Sequence, residues 1–362
     1  MADFYELDFL AVETQKSGDA ISLRYSLNGQ EFIHVIDGGF AETGERLVTH
    51  IRDHYGSPSY IDHVVATHPD GDHTVGLRSV LEAFDVGALW MLRPWHYVDL
   101  LMPGFPTYKS RSALVSKLRE LYPNLAALED IAIDRGIPIY EPLQGATIGV
   151  FTVLAPSLNH FLQCVWESDR TPETSMGEKA SAFTGLASLV LEAAKRAINY
   201  TLASWGLEAF SPESSSRENE MSVVQYGVLC DQRILLTADA GRDGLTEALD
   251  YAPNAGVSFP GVDKFQVPHH GSRRNLSSEI CDRILGPKLP AKAEASLFNA
   301  YIRSAKADPD HPRKVVIRAC IHRGGNVYMT EGQSIVTGVN RPTRTGWTSL
   351  VAADYPHEQE EA

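Results

Sequence analysis

The chain has only 4 cysteines in 362 residues. Cys164, Cys230, Cys281 and Cys320 stand far apart, which excludes a Cys-x-x-Cys metal site and a dense disulfide framework. A reducing cytoplasm is the expected location, and any metal must be held by His and carboxylate. Long apolar runs are missing as well: the best stretch, within Ala180 to Leu191, is far too short to cross a bilayer, so no membrane partner is expected. The start, Met1-Ala2-Asp3-Phe4-Tyr5-Glu6, is acidic where a secretory leader would be basic. Positive charge is in deficit, with 32 Lys+Arg against 46 Asp+Glu and a net charge of −14. That balance discourages a nucleic-acid partner. The deficit is uneven, however: Asp263 to Arg344 holds 14 Lys+Arg against 7 Asp+Glu, a local +7 that leaves −21 elsewhere. A basic C-terminal face that tolerates a polyanionic substrate is therefore expected.

What remains is ordinary globular composition, 43% hydrophobic and 22% charged. Phe9 to Val12, Ala20 to Leu27 and Phe32 to Ile36 read as strands separated by Lys16-Ser17-Gly18-Asp19 and Asn28-Gly29 turns. Ala41 to Tyr55 is amphipathic and predicts a helix, and Ile61 to Ala66 predicts a buried strand. Trp90 to Ile139 is mostly helical in pattern, with Ser110 to Leu121 its clearest helix. Ala146 to Leu154 returns to strand. Leu158 to Phe210 reads as helical, including an apolar helix near Leu186 to Trp205. Ser222 to Leu229 with Arg233 to Thr237 predicts a hairpin, Gly244 to Tyr251 a helix and Lys264 to Val267 another strand. Val315 to Ala319 and Asn326 to Met329 are expected as closing strands.

The chemistry collects where strands end. The apolar run before Thr67 delivers His68-Pro69-Asp70-Gly71-Asp72-His73, two imidazoles and two carboxylates in one loop. Pro69 and Gly71 stop it from continuing as strand or helix. Neighbouring carboxylates stay ionised together only beside compensating positive charge, so a divalent ion is the economical occupant. Asp37-Gly38-Gly39, Thr237-Ala238-Asp239 and His269-His270-Gly271-Ser272 close other strands in the same way. Sites of α/β sheets concentrate at that edge. Asp37 is expected to be structural, accepting backbone N–H bonds from the metal loop.

In these segments the chain resembles the metallo-β-lactamase superfamily, whose His-x-His-x-Asp-His loop appears here with Asp70 in the middle position. It is most similar to the soluble metallohydrolase domain of the ComEC DNA-uptake proteins. That likeness adds Gly18-Asp19-Ala20, Asp37 to Gly39, Asn219 with Ser222, Thr237 to Asp239 and His269 to Ser272, and it runs from about residue 7 to 272 with 90–210 poorly matched. The resemblance implies an α/β fold, the metallo-β-lactamase αβ/βα four-layer sandwich with a helical insertion. A single domain over 1–362 is expected, with insertions at about 90–140 and 158–215. It implies two divalent ions, Zn or Mn with Mg as a third choice, held by His68, Asp70, Asp72, His73, Asp239 and His269. Asp70 makes that set richer in oxygen and favours Mn²⁺ or Mg²⁺ over Zn²⁺. His160 is a reserve for the family's further His ligand, while Asn219 and Ser222 match the branch better.

Two ions roughly 3.5–4 Å apart activate a bridging hydroxide and stabilise both oxygens of a phosphoester displacement. In that scheme Asp72 orients the hydroxide and His270 and Ser272 donate to the leaving oxygen. Asn219 and Ser222 line the site, and Arg273 and Arg274 neutralise phosphate. The expected activity is phosphodiester hydrolysis, with nucleic acid as one substrate. The alternatives are hydrolysis of a small cyclic nucleotide, lactone or thioester, and a non-catalytic interaction protein. In the last case the helical insertion would contact a protein partner or a second copy of the chain. His96, His311 and His322 are expected as structural histidines.

Overall fold

The computed structural model describes residues 3–12, 14–171 and 200–361. In chain order the strands begin with β1 (Phe4–Phe9), β2 (Ala20–Leu27), β3 (Gln30–Gly38), β4 (Tyr60–Val65), β5 (Asp85–Trp90) and β6 (Ile139–Tyr140). They continue with β7 (Thr147–Ile148), β8 (Phe151–Ala155), β9 (Tyr200–Leu202), β10 (Val224–Leu229), β11 (Gln232–Leu236) and β12 (Lys264–Gln266). The last are β13 (Phe298–Ile302), β14 (Gly325–Met329), β15 (Ile335–Val339) and β16 (Glu358–Glu360). The helices are α1 (Ala41–His54), α2 (Gly71–Thr74), α3 (Leu77–Ala83), α4 (Val98–Leu101), α5 (Arg111–Leu121) and α6 (Pro123–Arg135). They are followed by α7 (Leu158–Glu167), α8 (Arg217–Glu220), α9 (Arg242–Tyr251), α10 (Ser278–Leu285) and α11 (Lys314–His322).

Two seven-stranded sheets result, ordered β15-β1-β2-β3-β4-β5-β6 and β14-β13-β12-β11-β10-β8-β7. Their facing sides share one apolar core, in which Leu7, Phe9, Leu23, Ile36 and Val65 meet Phe151, Val153, Ile234, Leu236 and Tyr301. The outer face of the first sheet buries α1, α3, α5, α6 and α7, and that of the second buries α9, α10 and α11. Helices, sheet, sheet, helices: the four-layer αβ/βα sandwich is the architecture. Strands fully covered on both sides read as continuous apolar runs rather than alternations, as Val64 and Val65 do. Helices α4, α5 and α6 lie between β5 and β6, so this insertion is a helical crossover packed on the first sheet.

Several expectations from the sequence change. Ala146 to Leu154 is two strands, because the chain turns at Gly149 (φ +57°) and β7 pairs back on β8. Val315 to Ala319 is not a strand but part of α11, whose residues from Val315 to His322 are all buried; a helix covered on every side loses its 3.6-residue signature. Strands β13 and β15 complete the two sheets and escaped the sequence reading. Among the described residues the 158–215 insertion contains α7 and β9, and α8 follows it. Its middle, including most of the helix read near Leu186 to Trp205, lies outside the described residues.

The basic C-terminal face is also corrected. Arg303, Arg318, Arg323 and Arg344 are buried. Arg344 pairs with Glu6 and Asp8, Arg323 with Glu208 and Asp282, and Arg303 with Asp19. Arg318 donates to the carbonyls of Pro356 and Ser204. These guanidiniums neutralise interior carboxylates and carbonyls, so the local +7 overstates the positive charge left for a surface.

Candidate metal centre

Strand β4 ends at Val65, and the chain enters the loop from Thr67 to α2 with Asp70 as the residue before the helix. The carbonyl of Asp70 accepts from the His73 and Thr74 N–H groups (3.2 and 3.0 Å) and from the Thr74 hydroxyl (2.8 Å). Gly18 brings the turn after β1 against this loop: a Cβ there would lie 2.7 Å from the Asp72 carbonyl oxygen, to which the Asp19 N–H donates at 3.0 Å. Asp239 follows β11, and His269 and His270 follow β12. Four non-glycine residues of these strand ends, Asp37, Ala238, His269 and His270, hold φ between +46° and +56°. Left-handed backbone at such residues costs on the order of 1–3 kcal/mol each and survives only where surroundings over-determine it. Gln266 supplies part of that constraint. Its side-chain oxygen accepts from the Thr237 and Ala238 N–H groups (2.9 and 3.2 Å), while its amide donates to Asp19 (2.9 Å).

Inside this frame four side chains converge. His73 Nε2 lies 3.3 Å from Asp239 Oδ1 and 3.9 Å from Asp72 Oδ2. His270 Nε2 lies 3.5 Å from Asp72 Oδ2 and 3.7 Å from Asp239 Oδ2. Both Nε2 atoms and Asp239 Oδ1 are buried without a hydrogen-bond partner. Donors at 2.0–2.2 Å from a tetrahedral ion sit about 3.3–3.6 Å apart, longer than a hydrogen bond and close to these spacings. The residues fit a divalent ion.

The far sides of the two rings are held by carboxylates. Asp37 Oδ2 accepts from His73 Nδ1 at 2.7 Å and from the Thr67 hydroxyl at 2.6 Å, and Asp37 Oδ1 accepts from the Thr67 N–H at 2.9 Å. Asp19 Oδ1 lies 3.3 Å from His270 Nδ1 and is paired with the buried Arg303. Carboxylates behind imidazoles fix the tautomer and aim Nε2 at the ion. Asp19, His73, Asp239 and His270 form one buried group with metal-ligating chemistry, and Asp37, His68 and His73 form another.

Without an ion, protons take its place. Burial disfavours a charged His270, but Asp239, Asp19 and Asp72 outweigh it and push the imidazole up to about 10. His73 is likewise raised well above its ordinary value, burial being overcome by Asp239, Asp19, Asp37 and Asp72. Burial pushes the Asp72 and Asp239 carboxyls up, yet the charge of His73 and His270 beside them holds both low.

The other sequence candidates divide. His68 Nε2 is buried and unpartnered, 3.7 Å from Asp70 Oδ2 and 3.9 Å from Asp239 Oδ2. His269, the ligand expected from the sequence, reaches Asp239 Oδ2 at 3.7 Å but is 28% exposed at its side chain, against 3% for His270. Its Nδ1 lies 3.0 Å from both Asn219 Nδ2 and Asn275 Oδ1. Both rings therefore reach Asp239 at 3.7 Å, and His270 is the more deeply buried of the two. Ser222 is fully buried with an unpartnered hydroxyl. Ser272 Oγ accepts from the Arg274 N–H at 3.3 Å. Arg273 donates to the Glu361 carbonyl at 2.9 Å, and Arg274 pairs with Glu213. His160 is bonded to the Glu220 carbonyl at 3.0 Å and belongs to neither buried group.

Four contributions were missed in the sequence. Asp19 was visible in the Gly18-Asp19-Ala20 motif, but its place behind His270 Nδ1 was not. Gln266, three residues before His269, and Arg303 carry no local signal. His311 was read as structural, yet its ring lies 5.3 Å from that of His269, and its Nδ1 is 3.2 Å from Asp308 Oδ2.

Residues 27–154 match the model of the metallo-beta-lactamase superfamily, a span that contains Asp37 and the His68 to His73 loop. No curated protein matches the chain. Among solved structures, the metallo-beta-lactamase fold protein YhfI from Bacillus subtilis aligns with 10% identity and a TM-score of 0.41, covering 93% of this chain and 100% of that one. A mutant of the CmlA beta-hydroxylase aligns with 11% identity and a TM-score of 0.39, over 92% of this chain and 54% of that one. Residues 27–154 are thus similar in sequence to the metallo-beta-lactamase superfamily, and they lie within a four-layer αβ/βα fold.

Proposed function

We propose that the protein is a metal-dependent hydrolase of phosphodiesters, with nucleic acid as the first substrate class to try. The observation that carries the hydrolase reading is the convergence of Asp72, His73, Asp239 and His270, in which His73 Nε2, His270 Nε2 and Asp239 Oδ1 are buried and unpartnered. Two imidazoles and two carboxylates suit Zn²⁺ or Mn²⁺. A divalent ion held there would polarise a phosphoryl oxygen and make a water acidic enough to attack at neutral pH. Asp72, the most exposed of the four at 29%, is placed to receive a proton from attacking water and to orient it. Asp37 and Asp19 keep His73 and His270 aimed inward. Arg170, partly exposed beside Asp70, offers a guanidinium to an anionic oxygen. The phosphodiester preference is supported by that cation and by the likeness of the motifs to the ComEC metallohydrolase domain.

The test is a screen of Mn²⁺- or Zn²⁺-loaded protein against single- and double-stranded DNA and RNA and a generic phosphodiester. Cleavage lost in Asp72→Ala and Asp239→Ala is the expected result. Cleavage that persists in both variants sinks the site assignment. Turnover of a lactone or thioester alone would replace the phosphodiester with the small-molecule reading.

A further inference from the structure

We propose that the protein has a second ligand site, separate from the metal centre, and that it takes a nucleoside monophosphate. A cavity of about 850 Å³ opens where both sheets end. Tyr328 lines it from β14, the outermost strand of the second sheet, and Val336, Thr337 and Gly338 line it from β15, the outermost strand of the first. The segment from Asn340 to Leu350 forms the facing wall. Clefts of this volume enclose molecules of cofactor size. None of the residues that converge at the metal centre lines it, so the assignment stands apart from the hydrolase reading.

The facing wall is held in place from behind. The Trp347 ring packs against those of His50 and His54 on α1, with centroids 6.2 and 5.6 Å away, and the Arg344 guanidinium lies 4.9 Å from its centroid. At the other end of the segment, Asn340 Nδ2 donates to the Asp3 carbonyl at 3.0 Å.

The charge of the lining selects an anion. The chain carries a net charge of −14, yet no Asp or Glu lines the cavity and two arginines do. Arg344 is buried and paired with Glu6 and Asp8, which also engage Arg24 and His50, so its charge is balanced within the interior. Arg341 is different. It is half-buried, its guanidinium donates to the Pro342 carbonyl at 3.3 Å, and it has no ion pair among the described residues. A guanidinium without a carboxylate is the group that a phosphate engages through paired N–H donors.

The strand and the aromatic lining supply the rest. Side chains alternate across a strand, so three successive lining residues of β15 mean that its outer edge forms the wall. No strand pairs with that edge among the described residues, and its backbone groups remain for a polar ligand. The rings of Phe9, Tyr301 and Tyr328 stack in a row, with centroids 4.8 and 5.7 Å apart and interplanar angles of 19° and 22°. Phe9 and Tyr301 are buried, and Tyr328 ends the row at the cavity. A planar base laid on Tyr328 continues it. A phosphate on Arg341, a base on Tyr328 and a sugar among the hydroxyls of Thr343, Thr348 and Ser349 use all three features, whereas inorganic phosphate uses one.

The experiment is equilibrium dialysis of the full chain against labelled adenosine monophosphate, with chelator present so that no phosphate held by metal is counted. One bound equivalent is expected. Adenosine and inorganic phosphate, as competitors, should each bind at least about tenfold more weakly, because each forgoes an anchor. Arg341→Gln and Tyr328→Leu should each weaken the nucleotide by at least about tenfold, and Arg341→Lys by less. Asp239→Asn, at the metal centre, should leave binding unchanged. No nucleotide bound at about 1 mM overturns the proposal. Binding that survives Arg341→Gln, or that is lost in Asp239→Asn, puts the nucleotide elsewhere and overturns it as well. Inorganic phosphate that binds as tightly as the nucleotide refutes the part given to Tyr328, and adenosine that does so refutes the part given to Arg341.

Discussion

Stripping metal from the centre should make the protein less stable as pH rises from about 6.5 to 10. The perturbation acts on His270, which is only 3% exposed and is pushed up to about 10 by Asp239, Asp19 and Asp72 against the cost of burial. A group whose folded pKa is raised contributes stability that is fully present below its unfolded value, here 6.5, and lost as pH rises through the folded one. At 1.36 kcal/mol per pH unit the shift corresponds to on the order of 5 kcal/mol. With an unfolding entropy of about 2.1 cal/mol/K per residue over 362 residues, that is a fall of about 6 °C in melting temperature. His73 shifts in the same direction and adds to the trend. A bound ion replaces both protons, so metal-loaded protein should lack the loss, and loading should release protons. Thermal melts across pH 6 to 10, with chelator and with Mn²⁺, read the effect directly. Chelated wild type with a flat profile refutes the reasoning, as does a chelated His270→Gln variant that falls as far as wild type.

Other substitutions test the supports around the centre. Asp37→Asn weakens the acceptor behind His73 Nδ1 and should lower metal affinity by about 10–100-fold, measured by competition with a chromogenic chelator; an unchanged affinity would contradict the supporting role. Arg344→Ala takes a guanidinium from buried Glu6 and Asp8, which keep Arg24 and the Tyr55 hydroxyl as partners, and should cost about 3 kcal/mol in urea denaturation, so a loss below about 1 kcal/mol would show the network to be slack. His34 is wholly buried with neither ring nitrogen bonded, and burial holds its pKa well below 6.5. Below pH 6.5 the unfolded chain takes up a proton that folded His34 refuses, so stability falls with slope up to about 1.4 kcal/mol per unit. His34→Leu should flatten that acid limb; an unaltered slope assigns it elsewhere.

The legibility of this molecule follows the range of its interactions. Strands β2 and β3 and helix α1 are written in local periodicity, whereas the first strand lies at Phe4–Phe9 and not at Phe9 to Val12, because buried Glu6 and Asp8 interrupt its apolar run. The polar loops after β3, β4, β11 and β12 were visible because each ends an apolar run. Helix α11 was misread because complete burial erases amphipathic spacing, leaving Val315 to Ala319 indistinguishable from a core strand. Arg303 and Arg344 counted toward a basic face because composition carries no information on depth. Within the centre, the loop from His68 to His73 was readable as a unit. The contributions of Asp19, Gln266 and Arg170 were not, since their partners lie 284, 247 and 100 residues away.

The sequence by itself determined the donor types, their placement at strand ends, and the absence of thiolate ligands. Those are properties of residue identity and short-range backbone preference. Only the tertiary structure decided which ring nitrogens face inward, because that depends on Asp37 and Asp19 arriving from other strands to bind the opposite nitrogens. It also decided that His270 is buried in the group while His269 keeps a side toward solvent. It set the Arg170 guanidinium against Asp70 Oδ1 and left Asp70 Oδ2 facing His68 Nε2. Such choices are set by the free energy of pairing buried charges across distant segments, which no local reading contains.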